Sequence, residues 1–187
     1  MSQVPTSKTT INQKLSNIQL LVLDVDGVLT DGKIILSNDG NESKHFNVKD
    51  GLGIKLIQKI GIKVAIITGK SSEIVATRFS KLGIKEILQG QENKLAAFKQ
   101  LQQKYQLNHS EIGYIGDDLP DLAVMKKSGF SAAPQDAIAI VKNTADYVCK
   151  NSGGQGAVRE ICDLLLSTRE LLNGIVNDYM TLGEAKP

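Results

Sequence analysis

Residues 21–32 constrain the fold of this chain more than any other segment of its sequence. An apolar run leads into Asp24 and Asp26, and Gly27 lets the backbone turn away just beyond them. Because side chains alternate along a strand, the two carboxylates lie on the same side of an extended backbone. Asp-Gly is also a common turn dipeptide, so a pair of solvated acids in a turn is the alternative interpretation. The rest of the chain decides between the two.

Length and composition bound the organisation of the chain. The 187 residues suffice for one sizeable core. We therefore expect a flexible N-terminal segment with a short helix over residues 1–17, followed by a single domain over residues 18–187. The net charge of +2 and the lack of a basic stripe argue against a nucleic-acid partner. The sequence has no apolar signal segment and no membrane span, so we expect the protein to lie in the cytoplasm and to bind no membrane. In that compartment, Cys149 and Cys162 would stay reduced.

Beyond residue 18, the apolar pattern alternates between strand and helix spacing. Strands are predicted over residues 19–25, 63–67, 86–88 and 112–115 and near residues 130 and 147, and helices over residues 51–60, 71–82, 93–105 and 119–127. Two short extended runs around a turn predict a β-hairpin over residues 33–48. The expected fold class is α/β, a Rossmann-like three-layer sandwich with a mostly parallel sheet and a β-hairpin after the first strand.

Polar residues follow four of these predicted strands. Asp24 and Asp26 follow the first, Thr68, Gly69 and Lys70 the second, Gln89 and Gly90 the third, and Gly116, Asp117 and Asp118 the fourth. The carboxyl ends of parallel strands share one edge, which is where such folds bind ligands. We therefore expect these residues to gather at one rim of the sheet.

The residue types at this rim fit phosphoryl transfer. Carboxylates suit Mg²⁺, which prefers oxygen ligands and typically meets a protein through one or two carboxylates plus substrate phosphate. A threonine hydroxyl, a lysine ammonium and turn N–H groups suit phosphate oxygens. The sequence has no serine–histidine pair placed for catalysis and no GxxxxGK[ST] loop. An aspartate nucleophile, with a second carboxylate as general acid and base, is the chemistry that remains.

Four segments resemble, in order, the four motifs of the haloacid dehalogenase superfamily of Mg²⁺-dependent phosphatases. Residues 23–30 resemble the first motif, residues 66–69 the second, Lys94 at a helix start the third, and residues 116–121 the fourth. The resemblance implies that Asp24 is the nucleophile and a metal ligand. It also implies that Asp26 is the general acid and base and offers its backbone carbonyl to the metal, with Asp117 as the third metal ligand.

By the same resemblance, Thr68 and Lys94 hold the transferring phosphoryl group, and Lys94 offsets the charge of the crowded carboxylates. Taken alone, these two residues could equally be a strand-end hydroxyl and a solvated helix lysine. The roles of Asp118 and Asp121 are open, because either could bind a metal-bound water or orient Lys94. Asp121 could also simply favour the positive end of a helix.

The intervals between the motifs leave no room for a cap domain. Only a hairpin and one helix fit between Asp26 and Thr68, and only a helix and a short strand fit between Thr68 and Lys94. The hairpin is expected to expose four apolar side chains, Ile34, Leu36, Phe46 and Val48. Because a two-stranded ribbon is unstable alone, it should pack either on its own sheet or on a neighbouring chain.

Three segments narrow the resemblance further. Residues 24–32, 46–53 and 152–160 are similar to the 3-deoxy-D-manno-octulosonate 8-phosphate phosphatases, an uncapped family, and the likeness covers about residues 18–166. It implies a homotetramer in which the hairpins form a central barrel and each subunit helps to close its neighbour's site. It also implies a role in lipopolysaccharide synthesis, with a small sugar acid phosphate as the substrate.

The residue after Thr68 and Gly69 bears on the choice of substrate. Relatives with glutamate there favour 2-keto-3-deoxynononate 9-phosphate, so Lys70 favours the eight-carbon substrate. The candidate substrate-binding residues are Thr68, Gly69, Lys70, Arg78, Lys81 and Lys94. An ordinary basic helix face is the alternative for Arg78 and Lys81. The rival functions are a nine-carbon phosphatase, a non-catalytic binding protein on this fold, and a phosphatase of protein or nucleic acid.

Overall fold

A parallel sheet forms the centre of the molecule, of which the computed structural model describes residues 8–185. The strands are β1 (Leu20–Leu23), β2 (Ile35–Leu36), β3 (Glu42–Ser43), β4 (Lys63–Ile67), β5 (Glu86–Leu88), β6 (Ile112–Ile115), β7 (Phe130–Ala133) and β8 (Tyr147–Val148). Strands β2 and β3 pair antiparallel as a separate hairpin. The other six are parallel in the order β5-β4-β1-β6-β7-β8, so β1 lies between β4 and β6.

Helices cover both faces of this sheet. They are α1 (Lys8–Ser16), α2 (Val48–Lys59), α3 (Glu73–Lys81), α4 (Lys94–Tyr105), α5 (Leu122–Met125), α6 (Ala139–Thr144), α7 (Ala157–Thr168) and α8 (Leu172–Leu182). Alternate residues of β1 enter two separate apolar clusters. Leu21 and Leu23 pack with residues of α2, α3 and α7, whereas Leu20 and Val22 pack with residues of α4, α5 and α6. The predicted three-layer α/β fold is confirmed.

The bounds of β4, β5 and β6 agree with the predicted strands, but the hairpin is shorter than predicted. Its second strand ends at Ser43, because Asn47 caps α2 by accepting a hydrogen bond from the Lys49 N–H at 2.8 Å. The helix expected over residues 119–127 is also interrupted, since Leu119–Asp121 is a 3₁₀ turn that precedes α5. Within residues 8–185, no cap domain is inserted after β1 or β4.

The hairpin is largely exposed. Ile34 and Leu36 are 62% and 67% exposed, and Val48 at the start of α2 is 78% exposed. The expectation that Phe46 shares this exposure is wrong, because its ring packs edge-on against Phe79 with centroids 5.3 Å apart. The base of the hairpin is therefore anchored to α3, while its strands stand free in the single chain.

The N-terminal helix and the two cysteines pack within the apolar core. The sequence predicts a loose stretch over residues 1–10 before a short helix, but α1 already begins at Lys8, and residues 1–7 lie outside the described residues. Cys149 and Cys162 are free, buried thiols, as predicted. None of the helices in residues 8–185 has both the length and the apolar character needed to cross a membrane.

Candidate active site

The carboxyl ends of β1, β4 and β6 open into one cavity of about 340 Å³. Seven of the predicted site residues line it: Asp24, Asp26, Thr68, Gly69, Lys70, Lys94 and Asp117. Arg78 and Lys81 instead line a separate hollow beside Phe46 and Ile74. The fold thus gathers the residues expected to carry the chemistry and leaves the two outer basic residues apart from them.

Lys94 provides a buried positive charge in the cavity. It is the first residue of α4, which Asn93 caps by accepting a hydrogen bond from the Ala96 N–H at 3.1 Å. Lys94 Nζ lies 2.7 Å from Asp24 Oδ2 and 2.8 Å from Asp121 Oδ1, and all three side chains are buried. Burial acts to lower the pKa of Lys94, but the charges of the two aspartates outweigh it and raise that pKa. Lys94 therefore remains a fixed cation.

Asp121 holds this lysine in place and is itself saturated with hydrogen bonds. Its Oδ1 also accepts from the Tyr114 hydroxyl at 2.6 Å, and its Oδ2 accepts from the backbone N–H groups of Asp117 and Asp118 at 2.9 and 3.2 Å. Of the roles left open for Asp121, the geometry favours orientation of Lys94. We refer to four buried side chains as the buried floor: Asp24, Lys94, Tyr114 and Asp121.

The acids around Lys94 are crowded. Asp24 directly follows β1, where its backbone N–H donates to the Ile115 carbonyl at 3.1 Å. Burial and the charge of Asp121 raise the pKa of Asp24 to about 6, although Lys94 acts in the opposite direction. Burial and the charges of Asp24 and Asp121 raise the pKa of Asp117 to about 8. Neighbouring acids with raised pKa values indicate a deficit of positive charge, which a divalent cation would supply.

One unpaired carboxylate oxygen points to the same conclusion. Asp117 Oδ1 is buried and has no hydrogen-bond partner among the described residues. Carboxylate oxygens of Asp24, Asp117 and Asp121 lie within 4.8 Å of one another. Because four donors already saturate Asp121, the better ligands are Asp24 and Asp117, to which the sequence prediction adds the backbone carbonyl of Asp26. This all-oxygen donor set fits Mg²⁺. Gly27, at φ +83°, leaves room for the Asp117 carboxylate, because a Cβ at this position would collide with it.

Asp26 lies outside this cluster of carboxylates. Its Oδ1 accepts a hydrogen bond from Lys44 Nζ at 2.6 Å, and Lys44 also reaches Glu42 Oε1 at 3.2 Å. Burial acts to lower the pKa of Lys44, but its contacts with Asp26 and Glu42 raise it, so the lysine is charged. Lys44 is not among the residues that the sequence predicts for the site.

Thr68, Gly69 and Lys70 form one part of the cavity wall. Thr68 is buried, its backbone N–H donates to the Leu88 carbonyl at 3.0 Å, and its carbonyl accepts from the Gln91 N–H at 3.0 Å. These bonds join the ends of β4 and β5. Gly69 has open space where a Cβ would lie, and Lys70 is exposed. A hydroxyl beside open backbone is suited to binding phosphate oxygens.

Two segments that resemble the phosphatase family brace the turn after β1. Gly153 packs so closely that a Cβ would collide with the Gly27 carbonyl, and the Gly154 N–H donates to the Val28 carbonyl at 2.9 Å. Asn47 donates its side-chain N–H to the Gly154 carbonyl at 3.3 Å. These residues therefore act on the site by fixing the backbone that carries the predicted nucleophile.

The sequence alone did not identify Lys44, Tyr114 or Gly153. In the sequence, Tyr114 fits the pattern of an apolar strand residue. Its hydroxyl gains a partner only in the folded chain, where it donates a hydrogen bond to Asp121. The glycine-rich composition around Gly153 was the one available signal, and it indicated a resemblance without a contact. No local pattern distinguishes the buried Lys44 from the exposed lysines near it.

Comparisons with known proteins agree with this geometry. Residues 70–161 match the family of haloacid dehalogenase-like hydrolases. The chain is also similar to the 3-deoxy-D-manno-octulosonate 8-phosphate phosphatase KdsC of Escherichia coli (strain K12). The two are 51% identical over 153 residues, which cover 82% of this chain and 81% of the relative.

Solved structures give the same result. A 3-deoxy-D-manno-octulosonate 8-phosphate phosphatase from Moraxella catarrhalis, in complex with magnesium, phosphate and KDO, superimposes with a TM-score of 0.90. It is 40% identical in sequence, and the match covers 92% of this chain and 99% of the other. The corresponding enzyme of Yersinia pestis has a TM-score of 0.87 and 44% identity, with 88% of this chain and 89% of the other covered.

Proposed function

This chain belongs to the haloacid dehalogenase-like hydrolases, within them to the 3-deoxy-D-manno-octulosonate 8-phosphate phosphatases, and we propose that it is a Mg²⁺-dependent phosphatase acting on that substrate. One observation carries the proposal: a buried lysine is fixed between two aspartates beside the unpaired Asp117 Oδ1. A fixed cation next to an oxygen-lined cation site is what a transferring phosphoryl group requires.

In the proposed reaction, a carboxylate oxygen of Asp24 attacks phosphorus and the bond from phosphorus to the sugar oxygen breaks. Asp26 gives a proton to the leaving oxygen and then takes one from the water that hydrolyses the aspartyl phosphate, which releases phosphate and restores Asp24. Thr68 and Lys94 hold the phosphoryl oxygens. Mg²⁺, when bound by Asp24, Asp117 and the Asp26 carbonyl, offsets negative charge on the carboxylates and the phosphoryl group.

The separation of the two acids supports this division of roles. Asp24 is buried against Lys94, which holds one of its oxygens at 2.7 Å. The side chain of Asp26 is 28% exposed, which leaves it access to the leaving group and to water. A nucleophile gains from a fixed position, whereas a proton carrier has to reach two different oxygens in turn.

We also propose an oligomeric state, a preferred substrate and a pathway for this phosphatase. Exposed Ile34, Leu36 and Val48 support a homotetramer assembled through the hairpins, because a ribbon of this kind gains stability by packing against other chains. Lys70 on the cavity wall supports the eight-carbon over the nine-carbon substrate. The product would enter lipopolysaccharide synthesis, and the cytoplasmic location stays a prediction from the sequence.

A substrate panel tests the proposal. Phosphate release is measured from 3-deoxy-D-manno-octulosonate 8-phosphate, 2-keto-3-deoxynononate 9-phosphate and p-nitrophenyl phosphate, with Mg²⁺ and after chelation. We expect the eight-carbon compound to be the best substrate and turnover to stop without Mg²⁺. Faster turnover of the nine-carbon compound would support the sister activity, and inertness toward all three would support a binding protein.

Light scattering tests the oligomeric state. We expect a tetramer, and a stable monomer would contradict assembly through the hairpins.

A further inference from the structure

Lys44 is buried in a part of the molecule that is otherwise open to solvent. Its side chain is 3% exposed, while Ile35 and Leu36 on the opposite strand of the hairpin are 37% and 67% exposed. Lys33, at the start of the hairpin, has a side chain that is 75% exposed. A lysine loses hydration and side-chain entropy on burial, so its position implies a compensating contact.

That contact is with the acid proposed to carry the proton. Lys44 Nζ lies 2.6 Å from Asp26 Oδ1, the shorter of its two ion pairs, the other being with Glu42 Oε1 at 3.2 Å. Within residues 8–185, Asp26 Oδ2 has no hydrogen bond, although Asp26 lines the cavity. Lys44 therefore occupies one oxygen of Asp26 and leaves the other to the cavity.

Asp26 has no other side-chain anchor among the described residues. Asp24 and Asp121 are buried and held by Lys94, whereas the Asp26 side chain is 28% exposed and can rotate between staggered rotamers if Lys44 is removed. A catalytic group displaced by about 1 Å can lose about 10²-fold in rate, so an anchor of this kind has a catalytic consequence.

We propose that Lys44 is a positioning residue, which holds Asp26 Oδ1 so that Oδ2 serves the leaving oxygen and the attacking water. The inference rests on the proposed function, in which Asp26 is the general acid and base. It adds that the base of the hairpin contributes to proton transfer through Lys44, although none of residues 35–44 lines the cavity. The geometry of Asp26 then depends on a segment outside the α/β core.

The experiment is a double-mutant cycle on Lys44 and Asp26. Lys44→Met should lower kcat by about 10–100-fold with KM changed by less than about threefold, because substrate binding is left intact. Lys44→Arg, which keeps a donor for the carboxylate, should recover most of kcat. In the Asp26→Asn background, Lys44→Met should change kcat by less than about twofold, because the lysine then has no acid to position.

Controls separate this inference from the proposed function. Lys33→Met removes an exposed hairpin lysine paired with Asp31 at 2.9 Å and should leave kcat unchanged. If Lys44→Met is unfolded by its melting curve, Lys44→Gln replaces it and keeps a polar group at the buried position. Equal losses from Lys44→Met with and without Asp26, or an unchanged kcat, would overturn the inference alone. An Asp26→Asn variant of full activity would instead overturn the proposed function.

Discussion

The buried floor and the outer basic residues differ in what holds their side chains. In the floor, Lys94 and Tyr114 both donate to Asp121, and every one of these groups is buried. We refer to the second group as the outer rim: Lys70, which lines the cavity wall, and Arg78 and Lys81, which line the separate hollow. Among the described residues, none forms a salt bridge with the outer rim, and Arg78 Nε is buried without a hydrogen-bond partner.

In the proposed reaction, this difference separates catalysis from recognition. A floor with fixed charges is organised before substrate arrives, so it would stabilise the transferring phosphoryl group without rearrangement. Unpaired cations at the rim are available to a carboxylate that the chain itself does not supply. Under the proposed function, the floor serves the chemistry and the outer rim serves selection of the sugar acid.

The largest expected effect comes from removal of the proposed nucleophile. Asp24→Asn should lower kcat by about 10³-fold or more, because an amide does not form the phosphorylated intermediate. Phosphate release under saturating Mg²⁺ measures the effect, and the melting curve shows that the variant folds. A variant that retains more than about a tenth of the activity would place the chemistry outside the floor.

The dependence of stability on pH and on Mg²⁺ tests whether the site lacks positive charge. Unfolded aspartates release protons near their ordinary pKa of 3.8, whereas Asp24 and Asp117 retain theirs until about 6 and about 8. The metal-free folded chain thus binds more protons, and its free energy of unfolding falls as pH rises between about 4 and 8. Mg²⁺ at about 100 times its Kd should raise Tm by about 5–10 °C at pH 8, and by less at pH 5.

Asp117→Asn is the matched control for this measurement. It removes one proposed ligand and keeps the shape of the side chain, so it should abolish most of the Mg²⁺-dependent rise in Tm at pH 8. Scanning calorimetry of both chains with and without Mg²⁺ gives the comparison. An equal rise in the two proteins would show that the cation binds elsewhere.

A charge reversal at the outer rim should have a smaller and more selective effect. Lys70→Glu should lower kcat/KM for the eight-carbon substrate by about tenfold, which corresponds to about 1.4 kcal/mol, and should favour the nine-carbon substrate. Turnover of p-nitrophenyl phosphate, which has no sugar acid, should change little. Lys85→Glu, at an exposed position outside the cavity, serves as the control. Equal losses on all substrates would assign Lys70 to the chemistry.

The smallest expected effect comes from Tyr114, the floor residue whose hydroxyl donates to Asp121. Tyr114→Phe removes one of four donors to Asp121, so it should lower the free energy of unfolding by about 1 kcal/mol and kcat by less than about fivefold. Denaturant unfolding and steady-state kinetics measure the two effects. A large loss of kcat without a loss of stability would mean that Tyr114 itself takes part in the reaction.

Much of the site can be predicted from the sequence, because a parallel sheet brings the carboxyl ends of its strands to one edge. Once residues 63–67 and 112–115 are recognised as strands beside β1, their carboxyl ends have to meet, and Asp24, Thr68 and Asp117 come together. Apolar runs bounded by glycine and polar residues gave those strands clear limits. Among the roles that spacing leaves open for Asp121, the geometry favours orientation of Lys94, because Lys94 Nζ donates to Asp121 Oδ1.

The rest depends on contacts that no local pattern contains. The hairpin was predicted too long because Phe46 and Val48 extend the alternation of the strand, while the capping of α2 by Asn47 interrupts it. Burial of Lys44 depends on Asp26, which lies 18 residues earlier and on a different element. A charged residue is exposed or buried according to its partners, and the sequence does not give partners.

Gly153 and Gly154 impose an order on the assembly of the enzyme during synthesis. A nascent chain contains the whole buried floor once residue 121 has left the ribosome, yet the turn after β1 receives its support only when residues 153 and 154 follow. Domains generally fold as units during synthesis, so a contact with a late segment waits for that segment. The turn that follows the proposed nucleophile thus gains this support only after residues 153 and 154 have been made, long after Asp24 itself.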